Sequence, residues 1–341
     1  MSVTRKGYIV KRLIMLAFVV FGVLTITFLI TRIMPAHPEI LWTGPRPTKE
    51  YIAKARELLH LNDPIYVQFY YYLSDLARGN WGVSWRTKMP IAQDISTALP
   101  ATLELLFFAF AIAILAGIPL GVISAARRDK PIDHAVRIGS VAGASLPVFW
   151  LALLLQLTFC NWLKLLPAGG RVDEVLALIT GFVPISGFYL LDSLLEGNFA
   201  VFVSVLSRII LPSIGLAAYP LSLTTRMTRA MMAESLQSNY VRSFRAWGIP
   251  ENLIRYKYAL KNSLAPVIAS LGLSFGYAIV GSFMIELIFS WQGIGYYAAS
   301  SLMSNDFPAA TACIVVVAVF YSVINVLVDV VHSIIDVRVT L

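Results

Sequence analysis

Charge is scarce in this chain. Asp, Glu, Lys and Arg make up 13% of its 341 residues, 58% are hydrophobic, and mean hydropathy is +0.74. One soluble core cannot bury that much apolar surface, which excludes a soluble globular protein. The two cysteines, Cys160 and Cys313, lie far apart in apolar runs and read as core or lipid-facing side chains, not as a disulfide or redox pair. The four histidines, His37, His60, His134 and His332, fall in loops or at the ends of apolar runs, with no H-E-x-x-H and no Cys/His cluster to hold zinc. No Gly-Lys dipeptide occurs, so no G-x-x-x-x-G-K-[ST] loop cradles nucleotide phosphates and the chain is not its own ATPase of that kind. A single G-x-S-x-G match, Gly272 to Gly276, lies inside an apolar run with no base near Ser274. It reads as small residues at a helix contact.

What the chain has instead is long apolar runs. Six are long enough to cross a bilayer, near Leu13–Ile30, Leu103–Ser124, Gly139–Leu163, Val201–Thr224, Pro266–Ile288 and Ala309–Val331, each close to the ~20 residues that ~30 Å of hydrocarbon requires. Stretches such as AFAIAILAGIPLGV are apolar on all sides, which calls for helices and argues against the alternating strands of a barrel. The first run is alternatively a signal peptide, but TRIMPAHPE after it lacks a small-residue cleavage site. The fold class is therefore an all-α polytopic membrane protein of six spans.

Basic residues set the expected orientation. With the N-terminus in the cytoplasm, the inner segments hold Arg5, Lys6, Lys11 and Arg12, then Arg127, Arg128, Lys130 and Arg137, then Arg226, Arg229, Arg242, Arg245, Arg255, Lys257 and Lys261, and last Arg338. The later outer loops hold Lys164 and Arg171 alone, so N-in and C-in is expected. The net charge of +8 has the same origin: these are membrane-edge anchors, and a nucleic-acid partner is not implied. The charges nearest the spans, Glu104, Arg208, Glu286 and Asp329, lie toward span ends, which weakens an ion-coupled mechanism. Gln156, Ser274 and Asn325 read first as helix-to-helix hydrogen bonds and second as path contacts.

The chain divides into a stub with the first span (1–32), an extracytoplasmic helical segment (33–100), a transmembrane core of five spans (101–331) and a short tail (332–341). In the outer segment Thr48 is expected to cap one helix, and a second starts at Asp63 with Pro64 at its first position and ends at Gly79. Both are amphipathic helices outside the bilayer, either capping the bundle or meeting a partner. Leu166 to Phe199 reads as a loop with one short interfacial helix.

Between spans four and five, within about 229–263, lies a polar elbow. Asn239 is expected to cap a short helix whose Tyr240, Phe244 and Trp247 share one face while Arg242 and Arg245 share another. Gly248 stops it in the left-handed conformation, and Pro250 with Glu251 starts a second short helix. A helix this short must dock on its own spans or in a partner's groove.

At these residues the chain resembles the integral-membrane permeases of binding-protein-dependent ABC importers, dipeptide/oligopeptide type. Tyr240 to Gly248 is similar to their Y-V-R-[ST]-x-R-A-x-G, and Ala259 to Pro266 to their A-L-[RK]-N-x-x-x-P. RGNWGVSWRT (Arg78–Thr87), LPATLEL (Leu99–Leu105), GIPLGVISA (Gly117–Ala125), SLPVFWLALLL (Ser145–Leu155), FSWQGIG (Phe289–Gly295) and VDVVHSIIDVR extend the likeness over nearly the whole chain. The chain departs from the family at Ser238 and Asn239 (commonly acidic), Trp247 (basic), Tyr258 (His) and Gln292 (Pro).

The resemblance implies an importer with divided labour. An extracytoplasmic solute-binding protein delivers solute, this chain pairs with a second, homologous permease as a heterodimer, and two cytoplasmic P-loop ATPase subunits carry ATP and magnesium. The chain itself binds no cofactor and is no enzyme. Tyr240, Val241, Arg242, Ser243, Phe244, Arg245, Ala246, Trp247 and Gly248 would form the coupling helix in an ATPase cleft. The location implied is a prokaryotic inner membrane. Di- or oligopeptides are the favoured cargo, with oligosaccharides or other small solutes as the alternative and an ion-coupled carrier as the reading outside the class.

Overall fold

The computed structural model describes residues 5–33, 38–43 and 48–335. His37 and Arg338, and the side chains of Asp329 and His332, lie outside what is described. Among the described residues every regular element is helical: α1 (Arg5–Ile33), α2 (Pro38–Thr43), α3 (Lys49–Leu58), α4 (Ile65–Ala77), α5 (Ile91–Ala126), α6 (Pro131–Ser145), α7 (Val148–Gln156), α8 (Glu174–Thr180), α9 (Tyr189–Leu195), α10 (Phe199–Gln237), α11 (Asn239–Ala246), α12 (Glu251–Leu253), α13 (Leu260–Ile288), α14 (Ile294–Met303) and α15 (Phe307–Ile335). Five helical stretches are long and apolar enough to cross a membrane: within α1, α5, α10, the continuous run from α12 through α13, and α15.

The third expected span is not one straight helix. α6 stops at Ser145, Leu146 turns to an extended conformation (φ −76°, ψ 131°), and α7 leaves at 104° to α6, ending in a π-helical turn over Leu157–Trp162. Pro147 causes the break: it has no N–H to donate and its ring pushes Leu146 out of the helical region. The pair still advances along its neighbours. Asp133 meets Arg229 of α10, Gly143 meets Ser222, Ala152 meets Gly215, and Gln156 reaches the Ile288 carbonyl at the top of α13.

Small residues let the helices approach closely, as membrane packing requires. A Cβ on Gly121 would stand 2.5 Å from that of Thr228, one on Gly272 2.3 Å from Val328, and one on Gly276 2.9 Å from the Tyr321 ring. The GLSFG segment is therefore the seam between α13 and α15, and the Ser274 hydroxyl donates within its own helix to the Leu271 carbonyl at 2.7 Å. Gln156 joins elements by donating to the Ala168 carbonyl at 2.7 Å. Cys160 and the buried Cys313 are both free thiols.

Thr48 caps α3 as expected, its hydroxyl accepting from the Tyr51 N–H. The next helix begins at Ile65, not Asp63, with Pro64 in the capping position, and it ends at Ala77. It does not stand clear of the bundle. Phe69 packs on Phe28 and on Phe21, well inside the apolar stretch of α1, with ring centroids 5.1 and 6.0 Å apart. Leu166 to Phe199 holds two short helices, α8 and α9, where one was expected.

The bundle end remote from the elbow is densely tied. Trp291 is fully buried and donates its indole N–H to the Ala101 carbonyl at 2.8 Å. Glu286, also fully buried, accepts from the Thr102 hydroxyl at 2.7 Å and the Tyr296 N–H at 3.0 Å. Glu104 and Arg171 form an ion pair at 2.8 Å, each 3% exposed, while Arg208 donates to the Gly169 carbonyl and pairs with Asp173 at 3.3 Å. Glu104, Arg208 and Glu286 are thus fasteners.

Candidate functional site

The elbow is built by backbone stops at both ends. α10 ends at Gln237, and Ser238 is extended (φ −67°, ψ 157°). Asn239 is not the cap: it is the first residue of α11, Ser238 stands in the cap position, and its hydroxyl turns back to the Ser235 carbonyl at 2.5 Å. At the other end Gly248 has φ +74°. Its N–H bonds to the Arg245 carbonyl and the Ile249 N–H to the Phe244 carbonyl, both at 3.0 Å, the paired bonds of a Schellman stop. A Cβ carries a steric penalty in that conformation, which is why glycine occupies it.

The second arm is no short helix. Pro250 precedes α12, which passes through a π-helical turn at Ile254–Ala259 straight into α13, so the return arm and the fifth span form one continuous rod from Glu251 to Ile288.

α11 docks on its own chain by one edge. Val241 and Ile254 are fully buried, and a small core of Val122, Ala125, Met232 and Ala259 joins α5, the end of α10 and the π-helical turn. The Tyr240 hydroxyl hydrogen-bonds that of Ser235, which also donates to the Ala259 carbonyl at 3.3 Å. The Phe244 ring lies 4.6 Å from Tyr258 and 5.8 Å from Tyr240. The aromatic stripe is therefore divided. Tyr240 and Phe244 are half-buried against the chain's own spans, whereas Trp247 is 74% exposed, with Leu253 and Tyr256 exposed beyond it.

The basic face divides as well. Arg245 pairs with Glu251 at 2.6 Å and braces the two arms, while Arg242 points into the open. Ser243, Ala246 and Gly248 complete the exposed side. Trp247 and Arg242 are thus presented outward, and Tyr240, Val241, Phe244 and Arg245 hold them in place.

Below the elbow lies a feature that sequence reasoning missed. Asp133, fully buried at the start of α6, accepts two bonds from Arg229 of α10 at 2.6 and 2.7 Å, one from the Ser124 hydroxyl at 2.5 Å and one from the Asp129 N–H at 3.0 Å. This fixes α6 and the α5–α6 turn to α10 just before α10 gives rise to the elbow. The sequence places Arg229 among the membrane-edge anchors, but the structure makes it a brace; the acidic residue in the first turn after Pro131 is the signal for it. Among the described residues no group of His, Cys, Asp or Glu stands together as a metal site.

Comparison with known proteins agrees with this architecture. Residues 117–341 match the family described as "Binding-protein-dependent transport system inner membrane component", and residues 6–106 match its N-terminal counterpart. The chain is 42% identical over 324 residues, 95% of this chain and 94% of the relative, to a probable D,D-dipeptide transport system permease protein of Escherichia coli. It is 37% identical over 98% of its length, and 99% of the relative's, to a dipeptide transport system permease protein of Alkalihalophilus pseudofirmus. To an oligopeptide transport system permease protein of Bacillus subtilis it is 32% identical, again over 98% and 99% of the two chains. The chain belongs to the family of binding-protein-dependent transport system inner membrane components, and is a multi-pass permease of that kind.

Proposed function

We propose that this chain is the permease subunit of an ATP-driven importer of di- or oligopeptides, with the elbow as its coupling helix. The cargo reading rests on the relatives, whose names specify dipeptides, D,D-dipeptides and oligopeptides. The coupling reading rests on one observation: a rigidly stopped helix that presents Trp247 and Arg242 outward at the foot of two spans. With the N- and C-termini in the cytoplasm, that foot faces two P-loop ATPase subunits, which supply the ATP and magnesium chemistry. The opposite end meets the extracytoplasmic solute-binding protein. A second, homologous permease closes the path.

Energy passes through population shift. Closure of the ATPases around ATP favours the helix arrangement that fits the closed cleft, and the effect is as large as the difference in affinity between the two arrangements. Trp247 supplies apolar anchorage and Arg242 the charge complement, the two residue types that dominate interface energetics. Val241 and the Gly248 stop transmit the force because they fix α11 to α10 and α12.

The test is to purify the chain from its native membrane and identify its companions by mass spectrometry. Reconstituted vesicles are then assayed for ATP-dependent uptake of alanyl-alanine in its L,L and D,D forms. A second permease, ATPases and a solute-binding protein, with uptake of either form, are expected. A chain that purifies alone, or a complex that moves oligosaccharide and no peptide, overturns the proposal.

A further inference from the structure

The break in the third span lies level with the middle of the bundle. Around it opens a cavity of about 170 Å³, whose lining includes Gly143, Leu146, Val148, Tyr219, Tyr277 and Gly281. Tyr219 is at the midpoint of α10, and its ring meets that of Tyr277 on α13 at 4.9 Å. Neither hydroxyl has a hydrogen-bond partner among the described residues. Tyr277 is 67% exposed and shares its outward helix face with Leu273, Val280 and Met284, so it is the one hydroxyl on that stripe.

The backbone at the break is open too. The last carbonyls of α6 lack the partners that further helix would supply, and the one bond spanning the stop is Leu146 N–H to the Ala142 carbonyl at 3.1 Å. Irregular backbone and unpaired phenols are costly against lipid tails, and at membrane depth they occur where protein covers them or a water-filled path runs past. In secondary transporters, broken spans at mid-membrane hold the transported solute, and the same backbone chemistry is available here.

We propose that Tyr219, Tyr277 and the backbone of the Gly143–Val148 break form this chain's half of the solute path, and that their ligand is the main chain of the transported peptide. This rests on the peptide-permease reading above. Carbonyls at the end of α6 accept from peptide N–H groups, and the tyrosine hydroxyls donate to peptide carbonyls. The ring faces receive side chains of any kind, and no charged side chain lines the cavity to trap the cargo. Neutral, few-bonded contacts suit a site that must release what it holds.

The experiment uses the assembled transporter in vesicles, with Tyr277→p-benzoylphenylalanine as a photo-crosslinker and tritium-labelled alanyl-alanine as the probe. Capture of labelled peptide that requires ATP turnover is expected. Tyr277→Phe and Tyr219→Phe should each lower the peptide carried per ATP hydrolysed by about fivefold, the worth of roughly one hydrogen bond. Capture of lipid alone, or of the second permease alone, overturns the path assignment while leaving the importer intact. Absence of uptake by the unsubstituted transporter overturns the peptide reading and this assignment together.

Discussion

Each end of the bundle carries a buried ion pair, and the two are set differently. At the end remote from the elbow, Arg171 and Glu104 are both 3% exposed. Arg171 also lies over the Tyr189 ring at 3.7 Å and donates to the Gly187 carbonyl, and Glu104 accepts from the Leu190 N–H. At the elbow end Asp133 is fully buried, but the Arg229 side chain is 22% exposed. The tryptophans repeat the contrast: Trp291 is sealed at one end and Trp247 stands out at the other. One end closes on itself, while the other is braced internally and left open on its outer side. That asymmetry suits the coupling role proposed above, in which the open end receives an ATPase subunit.

The largest expected effect breaks the sealed end. Arg171→Ala leaves Glu104 buried without its counter-charge and should cost about 3–5 kcal/mol, read as a fall in the thermal midpoint in detergent; Arg171→Met with Glu104→Leu should recover most of it. Asp133→Asn should cost less, about 2–3 kcal/mol, because water reaches Arg229, and it should also reduce transport per ATP hydrolysed. An Asp133→Asn loss equal to that of Arg171→Ala would make the two ends equivalent and end the comparison. Gly248→Ala forces a side chain into the left-handed region at a cost of roughly 1–2 kcal/mol, confined to the elbow, where hydrogen exchange of α11 should rise. Trp247→Ala should change stability by less than about 0.5 kcal/mol, since the ring is already exposed. The same change should weaken ATPase binding about tenfold, which a pull-down titration measures.

Much of this was legible in sequence because it is local. Hydropathy marks the spans, and the Gly248 stop and the Pro250 restart are written in residues whose backbone preferences are strong. The break at Pro147 was not legible for a physical reason: Pro100, Pro119, Pro212, Pro220 and Pro266 all sit inside continuous helices, so proline in an apolar run does not by itself announce a break. The ion pairs were hidden by distance along the chain, since Arg229 and Asp133 are 96 residues apart and Arg171 and Glu104 are 67. Of the elbow residues, periodicity found the shared face but not its division, because whether a ring lies on Tyr258 or faces outward depends on where the next helix returns.

The uninterrupted run from Glu251 to Ile288 has a mechanical meaning of its own. Its 38 residues, at ~1.5 Å each, make a lever about 57 Å long, hinged where its top is fastened through Glu286. A sideways push of ~5 Å at Glu251 tilts it by about 5°, and Tyr277, about 17 Å below the top, then moves by some 1.5 Å. In the proposed importer the gearing is downward: a broad stroke at the ATPases would become a small displacement at mid-membrane, on the scale of making or breaking one hydrogen bond.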